Sequence, residues 1–282
     1  MVPDSGLVLL DLKSGAQVAA LSVGSDPVAV TLSSDGSTAY VADSSPGDVY
    51  AVKLSARRVV WRAHVGGAPF GLLFGGDRLY VSLFTGGSVD ELALDTGRVL
   101  ASHMVGAGPA VMTADVAGRP LVALHSGGVA SLDGQASGAA RGYGIVAFGA
   151  DVWTCDYAEA KIVRVDGGKE FPAPKGLSPF WLAQGADQTM LIASEGADED
   201  RDAGGVFRLD LGSGQFKTLA SPRDPDQVIE SAQGVFVAAH GDRDVLHIAG
   251  GQTSTWAHGA SAVALAADQQ LNLLVVAINA HE

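Results

Sequence analysis

One plan recurs along the chain: a short apolar strand opening on proline, a glycine turn, a stronger apolar strand, then two further strands joined by Ser-Gly or Thr-Gly. PVAVTLSSDGSTAYVAD at Pro27–Asp43 is the clearest first half, and PFGLLFGGDRLYVSL at Pro69–Leu83 repeats it. LDLKSGAQVAALSVGSDP at Leu10–Pro27 and LDLGSGQFKTLASPRDP at Leu209–Pro225 are two copies of the second half. The units start at Pro27, Pro69, Pro109, Gly144, Pro179, Pro225 and Ser261, at intervals of 42, 40, 35, 35, 46 and 36 residues. A period near forty with four short strands is the unit of a β-propeller blade. Helical solenoids share some of these periods, but they need long amphipathic stretches, and this chain offers valine-rich strands and glycine turns instead.

In the first full unit the spacing predicts strands A to D, from the channel outward, near 28–32, 38–42, 49–54 and 59–65. Six such units fit between Pro27 and Gly259. The tail, 260–278, reads as strands A and B alone, and the head, 6–23, as strands C and D. A linear row of sheets would leave two apolar faces open, and closing the row into a ring buries both. The expectation is therefore an all-β, seven-bladed β-propeller with four antiparallel strands per blade, one domain over 1–282. Its closing blade is shared between the two ends of the chain. The third unit is the weakest, because its outer strand near 136–141 is poor in β-branched residues.

The stretch VGSDPVAVTLSSDGSTAYVADS, Val23–Ser44, resembles the YVTN-type β-propeller repeat, with its proline-led strand, Asp-Gly turn and Tyr-Val strand. VGGAPFGLLFGGDRLYVSL, Val65–Leu83, is a second copy. Streptogramin-lyase-like and surface-layer propellers are distantly similar. The resemblance implies architecture; chemistry has to be argued from the site.

The formal charge is −13, and Lys and Arg are dispersed, which argues against a nucleic-acid partner. No apolar run is long enough to span a membrane, and no leader pattern opens the sequence, so the chain reads as cytoplasmic as given, or as secreted or periplasmic had a leader been removed. The single cysteine, Cys155, reads as a small buried hydrophobe.

In a propeller the B–C and D–A loops ring one mouth of the channel, where a rigid scaffold presents several side chains to one centre. The aligned B-strand ends are Ser44, Phe84, His125, Asp156, Glu195, His240 and Asn279. His125, His240, Glu195 and Asp156 are the candidate catalytic groups. The same four are the candidate ligands of a divalent cation, through imidazole nitrogens and carboxylate oxygens. Phe70, Tyr157, Phe180, Trp181 and Asn279 are the candidate ligand-binding residues. Phe180 and Trp181 are adjacent in a strand, so one is expected to face the channel and the other a neighbouring blade. The acidic loop Glu195–Gly205 lies at the same mouth and reads as solvated, and ring closure would bring His281 and Glu282 near it. No HExxH, GxSxG or cysteine-ligand motif occurs. Two functions remain open: a binding or scaffold propeller taking a small molecule or a protein on these loops, and a lyase or hydrolase using the His/Asp/Glu set.

Overall fold

The structure, a computed structural model, describes residues 4–197, 200–259 and 261–279. They form seven antiparallel four-stranded sheets in which neighbours in sequence are neighbours in each sheet, save in the closing blade. That blade runs Gln17–Leu21, Gly6–Asp11, Leu273–Ile278, Ala262–Asp268 from rim to channel. Its central ladder joins the two ends of the chain over six consecutive pairs, from Gly6 opposite Ile278 to Asp11 opposite Leu273.

The packing explains why a ring is the stable arrangement. Second strands such as Thr38–Asp43 and Leu273–Ile278 are buried almost throughout, whereas the outer Arg58–His64 alternates between exposed and half-buried. A strand covered on both faces reads as a continuous apolar run. Seven clusters of buried side chains fill the seven gaps between blades. The closing blade shows how: Leu7 and Leu9 point toward the first full blade, while Val8 and Leu10 point toward the sixth. Alternation along one strand thus supplies two interfaces.

The gap between the third and fourth blades holds the smallest cluster, with Val111, Ala123, Val129 and Ile145 as its buried members. The third blade's outer strand is only Ala136–Ser137. The fourth and fifth blades begin at Ile145 and Leu177, one residue after and two before the positions read from the repeat. No helix among the described residues is long and apolar enough to cross a membrane.

Candidate functional site

At one end of the ring the same backbone hydrogen bond recurs. The amide just past the second strand donates to a carbonyl in the D–A corner: Ser44 to Asp26, Phe84 to Ala68, His125 to Gly108, Tyr157 to Arg141 and Asn279 to Ser261, all at 2.8–2.9 Å. These bonds fix where the side chains of this position point. Three of the corners place the residue before a strand-opening proline in left-handed backbone: Ala68 at φ 52°, Gly108 at 67° and Asp224 at 43°. The chain turns sharply there, and the proline then sets the following strand on its way.

In the fourth blade the residue at this position is Tyr157, and Asp156 is displaced by one. Asp156 pairs with Lys161 across the B–C hairpin as Asp43 pairs with Asp48 and Leu83 with Ser88. A shift of one residue turns a strand side chain to the opposite face. Asp156 accordingly accepts the Glu159 amide at 3.2 Å and lines a separate groove of about 390 Å³, with Lys161 and Arg164. It does not reach the mouth.

The other candidates converge there. His125, Glu195, His240, Asn279, Tyr157, Phe70, Phe180 and Trp181 all line one cavity of about 670 Å³ at the head of the channel. Phe180 and Trp181 both reach it, contrary to the expectation of one each way. A register irregularity between Pro179 and Trp181 breaks the alternation that separates adjacent side chains.

The cavity has two unlike sides. One is aromatic and centred on Tyr143, whose ring lies 4.7 Å from His125, 4.9 Å from Phe180, 5.8 Å from Phe70 and 6.0 Å from Tyr157. Phe84 closes the group behind, 5.5 Å from Phe70 and 5.7 Å from His125. His125 is therefore a member of an aromatic stack and stands apart from the carboxylates.

The other side is acidic. One oxygen each from Glu195, Asp224 and Asp226 lie within 4.8 Å of one another. His240 Nδ1 sits 3.6 Å from Asp226 and 3.9 Å from Asp224. Asp224 and Asp226 flank Pro225, so one D–A corner supplies two of the three acids, and the fifth blade's second strand supplies Glu195. Two carboxylates at 4.8 Å repel by roughly 3 kcal/mol at an effective dielectric of about 20. Burial, then Asp224 and Glu195, push the Asp226 carboxyl well above the usual carboxylate range. The Tyr157 hydroxyl donates to Glu195 at 3.0 Å and joins the two sides. Asn279 donates to Asp26 at 2.5 Å across the ring closure.

Among the described residues of the lining, four carboxylates (the three acids and Asp200) face one guanidinium, that of Arg201, with His240 beside them. These oxygens are the hard ligand set that suits calcium or magnesium, and they differ from the mixed imidazole–carboxylate set read from the sequence. Asp198, Glu199, His281 and Glu282 lie outside the described residues. Asp224, Asp226 and Tyr143 are the residues of the cavity that the sequence reading left out of the candidate site. Their signal was positional: each falls in a D–A corner, beside the strand start.

Cys155 is fully buried between the fourth and fifth blades, its thiol 3.5 Å from the Phe180 carbonyl, and burial raises its pKa. It is packing, with no thiolate to offer.

No family model matches the chain. No curated protein matches it in sequence. Solved structures do match in fold. A 6-phosphogluconolactonase candidate from Bacteroides uniformis aligns at TM-score 0.66 and 12% identity, over 90% of this chain and 95% of that one. The periplasmic gluconolactonase PpgL of Pseudomonas aeruginosa aligns at 0.64 and 14%, over 89% and 95%. The Cps50 (Swd1) beta-propeller domain of Myceliophteria thermophila aligns at 0.65 and 10%, over 90% and 96%. The chain is a β-propeller. At these identities the likeness concerns the fold, and the neighbours differ widely in what their names say they do.

Proposed function

We propose that this chain is a binding propeller that takes a small molecule at the mouth of its channel. The observation that carries the reading is the cavity itself. All seven blades contribute to it, through Val28, Phe70, His125, Tyr157, Glu195, Asp226 and Asn279. Its volume of about 670 Å³ lies within the range of roughly 300–1,000 Å³ typical of small-molecule sites. A concave, aromatic-walled recess suits a small ligand better than a flat protein surface. The likeness of Val23–Ser44 to YVTN-type repeats is compatible with this reading and adds no ligand.

The test is a ligand-observed NMR screen of small aromatic fragments that differ in charge. Hits should compete for one site and vanish with Tyr143→Ala and with Phe180→Ala, while both variants stay folded by circular dichroism. Hits unaffected by either change would place binding elsewhere.

A second reading, a hydrolase, draws on His240 beside Asp226 and on the gluconolactonase names among the fold neighbours. At 3.6 Å that pair is longer than an ordinary hydrogen bond. A phosphorylated sugar lactone is an anion, and the four carboxylates at the mouth would repel it. If the hydrolase reading holds, the protein accelerates ring opening of gluconolactone in a pH-stat, and His240→Ala abolishes the acceleration.

A further inference from the structure

We infer that the ligand of the channel mouth is an organic cation, an amine or ammonium group carried on a flat apolar or aromatic body. The inference rests on the mouth being a binding site and names what it binds. Two features of one cavity meet in it. Tyr143, with Phe70, Tyr157 and Phe180 around it, presents aromatic faces and edges, the surface that holds a flat hydrocarbon body and also attracts a cation. In the same cavity, Glu195, Asp224 and Asp226 bring three carboxyl groups together in a half-buried corner, with His240 Nδ1 3.6 Å from Asp226. Folding leaves these carboxylates in mutual repulsion, relieved by a shared proton or by a cation. A ligand whose ammonium sits at the three acids while its body lies on the Tyr143 group satisfies both sides at once. An anion of the same shape meets, among the described residues of the lining, four carboxyl groups against Arg201 and His240. A neutral molecule of the same shape gains no charge attraction from the acid side. The Tyr157 hydroxyl, already donated to Glu195, steadies the acid nearest the aromatic side.

Three probes with one indole body separate the cases: tryptamine, tryptophol and indole-3-propionate, titrated calorimetrically into the full chain at neutral pH. Tryptamine should bind at least about tenfold more tightly than tryptophol, and indole-3-propionate more weakly than either. The tryptamine advantage should shrink as salt is raised from about 50 to 500 mM. The double variant Asp224→Asn/Asp226→Asn should bring tryptamine down to the affinity of tryptophol. Phe180→Ala should weaken both. Tryptophol binding as tightly as tryptamine, or indole-3-propionate binding best, overturns the cationic class while leaving a binding site in place. Failure of all three to bind overturns the class and the binding reading together. Calcium titrated alone is the remaining arm. Micromolar calcium binding that is lost in the double variant, with no preference for tryptamine, assigns the three carboxylates to a metal and overturns the proposal.

Discussion

Replacing Leu7 by alanine tests whether the head of the chain belongs to the ring. Leu7 is fully buried, stands opposite Ala277 on one side and Leu21 on the other, and packs in the cluster between the closing blade and the first full blade. Leucine-to-alanine changes at such sites remove about 2–5 kcal/mol, the transfer free energy of the lost atoms plus the cavity they leave. A chain of 282 residues unfolds with an entropy of roughly 0.6 kcal/mol/K at about 2.1 cal/mol/K per residue. Leu7→Ala should therefore lower Tm by roughly 3–8 °C in differential scanning calorimetry. Leu271, half exposed at 50%, is the control, and Leu271→Ala should move Tm by no more than about 1 °C. Equal Tm values for the two variants would refute the reasoning, because a head strand outside the ring would leave Leu7 nothing to pack against.

Asp226→Asn should stabilise the protein above the acid range. The Asp226 carboxyl is weaker in the folded state than in the unfolded chain, so folding takes up a proton, and stability falls as pH rises from the unfolded pKa through the raised one. The variant should melt higher than wild type at pH 8, by about 2 °C for each tenfold weakening of the acid. The gap should close near pH 3 in a pH series of melts, and a gap that widens toward low pH would contradict the assignment. Tyr143→Ala, which empties the centre of the aromatic group, should cost about 3 kcal/mol by urea titration, and a cost under about 1 kcal/mol would show the rings to be loosely packed. Cys155 should react with a thiol reagent only at the rate of unfolding, and prompt labelling of the native protein would contradict its burial.

Much of the architecture was legible because it follows from local rules. Proline at a strand start, Asp-Gly at a hairpin and apolar runs of fixed length repeat often enough to count blades, and the unfinished head and tail imply closure. The mouth was legible only in part. His125, Glu195 and His240 were found by aligning strand ends, which works where hairpins have equal length. Asp156 was misplaced because the fourth blade begins its first strand at Ile145 without a proline, and one residue of slip reverses a side chain. The expectation that Phe180 and Trp181 face opposite ways failed because a bulge is invisible to simple alternation. The division of the mouth into aromatic and acidic sides was out of reach. It depends on which blades are neighbours around the ring and on rotamers, as with His125, which stacks on Tyr143 and leaves the acids to blades five and six.

A crystal structure of the protein soaked with tryptamine bears most directly on the claim that the ring assembles one two-sided site. The ammonium should be found within about 3 Å of an oxygen of Glu195, Asp224 or Asp226, with the indole against Tyr143 and Phe180. An amine seated in the groove beside Asp156, or one whose ammonium points away from the three acids, would contradict it.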